Sequence, residues 1–494
     1  MFKLLRMTVF LSWLFFFITD TYAGETQRLK LSDCYALAIE NNLSIAILKN
    51  KPVIFSWREA AEKAIFDPNY DFSMNYMDAK TPTTSLTRSS TGFDCLESDV
   101  LRFDTGISGL IPIGTRYDLS FSDTKTTGTV TRFESEYDGV LSFSLTQPLL
   151  KNFGLASNLI RLRIARINKE ISEEELRNVL INTLNRVQVK YWDLVLAIRE
   201  YEVYKESLNL AKTLLEDNKK RVEVGILPPI EITQSEAGVA AREEAVIIGE
   251  QRISQRENDL KTLIYLDTMD IIGKKVVPID EPLVKEKNLS FDESLKNALS
   301  KRSEYLIAKK NIESKKMETR FYRNQRLPEV NFVGRYNMKG VDGNFGNTLD
   351  KVASEETREW ILGVEVKIPL GNRVAKSKSE ISRIELKNLE YESDRIKLNL
   401  VRDVSNAVAN VRTNFKRVKA TKASRRLAEE ALNSEIKKLE TGASTSHDVL
   451  IFQEELSKAK IKEISSIIDL NKSLFELSRV EGTVLDKLGI ELEK

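Results

Sequence analysis

Apolar and polar residues alternate one by one over several short stretches of the chain and recur with helical spacing over several long ones. Tyr70, Phe72, Met74 and Tyr76 share one face of a strand. So do Leu141, Phe143 and Leu145, with Ser142, Ser144 and Thr146 opposite. Trp360, Leu362, Val364, Val366 and Ile368 repeat the period of two against Gly363, Glu365 and Lys367. Two of these strands end at prolines, Pro148 and Pro369, which donate nothing to a ladder. Long helical patterns follow each proline. Leu180, Val187, Leu194, Tyr201, Leu208 and Leu215 recur every seven residues, with Leu184, Tyr191 and Ile198 as a second row, forming a seam that packs helix on helix. From Ile160 to Val222 such a helix is roughly 95 Å long. The span Asn372 to Lys438 repeats the seam with Val401, Val404, Val408, Val411, Phe415 and Val418.

Compared with itself at a shift of 260 residues, the chain shows a duplication. "LKLSDCYALAIENN" from Leu29 then lies over "LSFDESLKNALSKR" from Leu289, pairing Asp33 with Glu293, Ala38 with Ala298 and Ile39 with Leu299. "DPNYDF" falls on "LPEVNF", pairing Pro68 with Pro328 and Phe72 with Phe332. Each half runs strand, loop, strand ending in proline, long helix, glycine turn (Gly225, Gly442) and long helix. The expected division is a leader, 1–23, and two repeats, 24–266 and 267–494. In the first, strands fall at about 68–78 and 138–148, an extra hairpin at 101–123, and long helices at 160–222 and 229–265. In the second, strands fall at about 328–338 and 359–369, and long helices at 373–438 and 446–488. The hairpin, turning near Pro112 to Gly114, is expected outside the bilayer, beside a wall of four strands; if it joins the wall, the strand count rises.

The leader changes what the alternating strands mean. Lys3 and Arg6 precede an apolar run from Met7 to Ile18 and a small-residue site at Thr21, Tyr22 and Ala23, the pattern of a cleaved secretory signal with Gly24 as first mature residue. That run is too short to span a bilayer as a helix. In an exported chain, aromatic-rich strands of this length have the alternation of a membrane β-barrel, where lipid-facing and lumen-facing residues take turns. Four strands cannot close a barrel, because open edges would leave unpaired backbone groups in hydrocarbon. Three copies would give twelve strands, an even number within the range of such barrels.

Composition narrows the chemistry. Lys and Arg number 75 against 73 Asp and Glu, so no basic field points to a nucleic-acid partner. One histidine, His447, and two cysteines, Cys34 and Cys95, cannot build a His/Cys zinc site, and no G-x-S-x-G turn accompanies the histidine. The cysteines fall in a predicted helix and a loop and are expected as two free thiols. No enzyme, cofactor or metal signature is present. A secreted trimeric coiled-coil stalk or adhesin-like surface protein is the alternative reading; against it, the duplication returns every helix antiparallel.

From "LKLSDCYALAIENN" through "LPEVNF", "SLTQPLL" and "VKIPLGN" to "TGASTSHDVLIFQEELSKAK" and "ELSRVEGTVLDKLGI", the chain resembles the TolC-like outer-membrane efflux proteins. The resemblance implies an α+β membrane protein whose duplicated strand-helix repeat forms a trimeric 12-stranded outer-membrane β-barrel, continuous with a long periplasmic α-helical barrel. It implies the outer membrane of a diderm, Gram-negative-type cell as location, and outer-membrane lipid, a periplasmic adaptor (membrane-fusion) protein and an inner-membrane transporter as partners of the homotrimer. The implied role is the exit duct of a tripartite efflux pump or type I secretion system, with no catalysis. The family's adaptor-docking turns match Val224, Gly225, Ile226 and Leu227, and Thr441, Gly442, Ala443 and Ser444. Glycine there is equally what any tight helix reversal needs. The periplasmic aperture matches Asp448; the second acidic position falls on Ile451, and the basic residue that locks some relatives falls on Ser444, so a double acidic ring is not expected. Glu231 is the counterpart of Asp448 in the first repeat. An acid in a first helical turn also serves the helix dipole by about 0.3–1 kcal/mol, which leaves gate and cap both open for Asp448 and favours the cap for Glu231.

Overall fold

The computed structural model describes residues 25–129, 131, 133–284, 289–355 and 357–490. The expected leader, 1–23, lies outside the described residues. The strands are β1 (Glu25–Leu29), β2 (Asn69–Pro82), β3 (Cys95–Leu110), β4 (Arg116–Gly128), β5 (Glu136–Pro148), β6 (Lys274–Pro278), β7 (Glu329–Asp342) and β8 (Thr357–Lys367). The chain forms two compact units. One comprises the residues up to Asn50, Glu174–Leu306 and those from Ile396 onward; the other comprises Lys51–Glu173 and Ile307–Arg395.

The first unit is helical. Its four long helices are Ile230–Ile264, Ser446–Glu481 and the greater parts of Ile160–Glu223 and Arg373–Glu440. The heptad seam is its core: Leu180, Leu184, Val187, Tyr191 and Leu194 are all at most 1% exposed. Leu184, Val187, Tyr191 and Leu194 pack with Cys34, Tyr35 and Ala38 of the short helix Leu31–Asn41 and with Leu260, Ile264 and Ile468. A second cluster joins Ala298 of the short helix Phe291–Lys301 to Val404, Val408, Val411, Leu470 and Leu477. Ala38 and Ala298, paired by the 260-residue shift, are both fully buried, and an alanine at each lets the short helix approach the long ones closely. The parallel pair β1 and β6 lies here too. Burial in this unit is polar where the backbone needs a partner. Glu257 Oε1 accepts the Val276 N–H at 2.9 Å and is paired with Lys261 Nζ at 2.7 Å, so neither buried charge is uncompensated.

Gly482, in the left-handed region at φ 71°, stops the helix Ser446–Glu481, and a separate short helix, Val484–Leu488, follows. The single helix expected over 446–488 is therefore two, because a C-cap glycine ends the ladder before the last apolar residues dock. Cys34 is buried and Cys95 opens β3 instead of lying in a loop; both are free.

The second unit holds one six-stranded sheet in the order β2-β3-β4-β5-β7-β8, antiparallel throughout. The extra hairpin is thus not separate from the other strands but part of their sheet, between β2 and β5. A period of two shows that a segment is a strand without showing which edges it pairs with, and only the registers with β2 and β5 settle that.

Replacing Leu184, a seam residue with no exposure, by alanine is expected to destabilise the helical unit by about 2–5 kcal/mol. Urea unfolding followed by far-ultraviolet circular dichroism measures it; a loss below 1 kcal/mol would mean the seam is not the core.

Candidate functional site

Two parts of the molecule are built in ways that packing alone does not require: the faces of the sheet and the paired helix turns. Tyr70, Ile107, Leu119, Phe143, Tyr336 and Trp360 stand in register across all six strands, a single apolar row. The next row on that face is Phe72, Thr105, Phe121, Leu141, Met338 and Arg358. On the opposite face the corresponding row is Asp71, Gly106, Ser120, Ser142, Asn337 and Glu359. Ser142 donates to Asn337 Oδ1 at 2.7 Å, and Asn337 Nδ2 donates to Glu359 Oε2 at 3.2 Å. In water such an apolar face would need a cover, yet Tyr70 and Trp360 are 68% and 67% exposed. Strands of eleven to sixteen residues are long enough to cross a bilayer at a tilt, and one apolar and one polar face is what lipid and a wet lumen require.

The helix turns are the second part. Val224-Gly225-Ile226-Leu227 follows the helix Ile160–Glu223, and Thr441-Gly442-Ala443-Ser444 follows Arg373–Glu440. Gly225 and Gly442 adopt φ of 77° and 75°. Ile226 N–H donates to Arg221 O and Ala443 N–H to Lys438 O, both at 2.8 Å, the six-to-one bond of a Schellman stop. A Cβ on either glycine would meet nothing within 4 Å, so backbone conformation alone demands glycine there. Val224, Ile226 and Ile230 project with exposures of 57–70%, whereas the second turn exposes Thr441, Gly442 and Ala443. Pro229 is the N-cap residue of Ile230–Ile264; the Pro228 and Pro229 carbonyls accept the Glu231 and Ile232 N–H groups.

The candidate aperture residues separate. Thr445 caps Ser446–Glu481: its hydroxyl accepts the Asp448 N–H at 3.2 Å, while Asp448 Oδ2 takes the Thr445 hydroxyl at 2.7 Å and its N–H at 3.4 Å. This is a complete capping box. The Thr445 hydroxyl holds the Asp448 carboxyl below its ordinary value, with the Thr445 N–H and the charges of His447 and Lys438 acting in the same direction. Ile451, one turn on, is exposed. Glu231 is buried and accepts the Ser446 N–H at 3.3 Å, so it serves the start of another helix. Ser444 donates to Glu435 Oε1 at 2.5 Å.

Sequence reasoning missed the polar network that joins all four helices beneath the turns. Asn218 Nδ2 donates to Ser235 Oγ at 2.7 Å and to Ser446 Oγ at 2.8 Å, all three buried. Arg221 Nη1 reaches Leu439 O at 3.4 Å, and Arg242 donates to Leu450 O at 2.9 Å and Ser207 Oγ at 3.2 Å. Burial presses the Arg242 guanidinium below its ordinary value. The available signal was an asparagine three residues past Leu215 of the heptad row, a polar residue in an apolar seam of the kind that sets register. Among the described residues no group of His, Cys, Asp or Glu is placed to hold a metal ion. No helix among them is long and apolar enough to cross a membrane.

An antiparallel sheet with one face for lipid and one for water, on a chain that also supplies two pairs of long helices, defines an outer-membrane channel. The model of the outer membrane efflux protein family matches residues 113–264 and 295–482, and the chain belongs to that family. The protein is accordingly an outer-membrane efflux channel and not an enzyme. Its fold is similar to that of the Campylobacter jejuni CmeC outer membrane channel, with 14% identity, TM-score 0.66, and coverage of 92% of this chain and 86% of that one. It is also similar to VceC from Vibrio cholerae (14%, TM-score 0.64, covering 93% and 97%) and to the open state of the Neisseria gonorrhoeae MtrE channel (14%, TM-score 0.61, covering 92% and 89%). A sequence comparison with curated proteins finds no match.

Substituting Gly442 by alanine forces a left-handed residue with a Cβ and is expected to cost about 1–2 kcal/mol without any clash; thermal unfolding measures it. Because the folded pKa of Asp448 is lowered, its capping contribution is complete above the ordinary aspartate value and is lost as pH falls through the lowered one. Amide exchange at Thr445 and Asp448, whose N–H groups the box holds, should therefore accelerate with acidification beyond its intrinsic pH dependence, and Asp448→Asn should abolish that extra response.

Proposed function

We propose that three copies close the sheet into a pore, with β8 of one copy pairing with β2 of the next, and that the helical unit carries the passage through the periplasm. The observation that carries this reading is the apolar row running unbroken across all six strands and ending at two exposed, unpaired edges. Antiparallel order throughout means β2 and β8 run in opposite directions, so neighbouring copies meet antiparallel. A stalk or adhesin has no use for such a face. The leader 1–23 delivers the chain to this location, and the repeats 24–266 and 267–494 each supply strands and a pair of long helices.

The paired glycine turns, Val224 to Leu227 and Thr441 to Ser444, dock a periplasmic adaptor, with Val224, Ile226 and Ile230 as apolar knobs. An inner-membrane transporter supplies the energy, as in a tripartite efflux pump or type I secretion system. Asp448 and Ile451, on one helix face, line the aperture, while Glu231 holds the helix starts together. Threefold repetition of Asp448 favours cations.

Purified protein in planar bilayers should conduct as a trimer with cation preference, and Asp448→Asn should reduce that preference without reducing trimer yield. Monomers in mild detergent that conduct nothing would overturn the pore. Val224→Asp with Ile226→Asp should abolish copurification of an adaptor while leaving conductance intact.

A further inference from the structure

We infer that the outer-membrane wall of this channel contains eighteen strands, six from each of three copies, and that β3 and β4 form a full membrane-crossing hairpin that widens the pore. The inference rests on the trimeric reading above for the number of copies, and on the sheet itself for what each copy contributes.

Three observations carry it. First, the hairpin runs the whole height of the sheet. β3 is in register with β2 from Pro82–Cys95 to Asn69–Ser108, and β4 with β5 from Thr126–Glu136 to Arg116–Thr146. Its tight turn lies at the rim where β5 ends: Gly154 N–H donates to Ile113 O at 3.0 Å, and a Cβ on Gly114, at φ 100°, would stand 2.6 Å from Asn152 O. Its open ends, joined to β2 and β5 by residues 83–94 and 129–135, lie at the opposite rim.

Second, both hairpin strands have the two faces of the rest. Ile107 and Leu119 continue the apolar row between Tyr70 and Phe143. Ser108, Gly106 and Asp104 of β3, and Asp118, Ser120 and Ser122 of β4, continue the polar face. Arg102 on that face is paired with Asp104 at 2.9 Å, a charge pair suited to a wet lumen and costly in lipid. A hairpin folded outside the bilayer would have no reason to align an apolar stripe with the lipid-facing rows of its neighbours.

Third, strand parity is kept. An inserted pair leaves β2 and β8 antiparallel, so closure with neighbouring copies is unaffected. A single inserted strand would have broken it. Barrel diameter grows roughly linearly with strand number, so eighteen strands give a bore about half as wide again as twelve. At that size the strand barrel no longer sets the upper limit on cargo; selection by size falls to the helical part.

The test uses the full-length protein in lipid vesicles with Cys95→Ser as background. Cys34 stays, since burial, with Asp33 and Asp280 adding, pushes its thiol up to about 12 and makes it unreactive. Single cysteines are placed at Ile107, Leu119, Ser120 and Ser122. A membrane-impermeant maleimide should label the two serine positions about tenfold or more faster than Ile107 and Leu119, and a lipid-soluble maleimide should reverse the order. Equal labelling of all four by the impermeant reagent, in protein that still conducts, overturns the hairpin's place in the wall while leaving the channel standing. Electron microscopy of the trimer in lipid discs gives the count directly: eighteen wall strands support the inference and twelve overturn it. Protein that neither trimerises nor conducts removes the channel reading and this one with it.

Discussion

A β-sheet ends in two rows of unpaired backbone N–H and C=O groups, and in hydrocarbon each unpaired group costs several kcal/mol. The sheet of this chain has such rows on β2 and β8, together with an apolar face that water does not tolerate uncovered. Together these demands leave one stable arrangement, in which the edges pair with other copies while the apolar face meets lipid. The even number of strands, the uniform antiparallel order and the alternation of faces all follow from that requirement. A strand inserted singly, or slipped by one residue, would break it.

The helical unit answers to a different constraint. Its seam is conventionally apolar over Leu184 to Leu194, where Cys34, Tyr35 and Ala38 cover it. Toward the turns a second apolar cluster, with Leu214, Leu215, Leu439, Val449 and Leu450, continues the core, and Asn218, Ser235, Ser446, Glu231 and Arg242 add hydrogen bonds between the helices. Such polar contacts fix the register of the helices against one another, since each donor and acceptor is met only in one alignment.

Two carboxylates at equivalent places in the two repeats show how far local context can separate like residues. Asp448 is held by its own helix through the Thr445 capping box, and its side chain stays partly accessible. Glu231 has no capping partner on its own helix, whose N-cap is Pro229, and turns instead to the Ser446 N–H of another. Sequence spacing makes them counterparts. Their hydrogen bonds make one a cap with a free face and the other an interhelical tie.

Much of this was legible in the letters, for physical reasons. A duplicated chain repeats its buried positions, so the shift that pairs Ala38 with Ala298 also carries Leu31–Asn41 onto Phe291–Lys301 and Asn69–Pro82 onto Glu329–Asp342. Strand faces show as a period of two, helix seams as a period of seven, and left-handed stops as glycine at residues 225 and 442, because each is a local demand on side chain or backbone. Which strands pair was not local. The hairpin's letters say strand, turn, strand, and only its registers with β2 and β5 put it inside the sheet. The same holds for Asn218, whose neighbours Ser235 and Ser446 lie far along the chain and come within hydrogen-bond reach only when the helices pack. By itself the amino-acid order determined the long helices, the faces of the strands and the stops at Gly225 and Gly442. The tertiary structure decided the width of the sheet and the ties between helices, because those depend on pairing between segments whose separation no local pattern records.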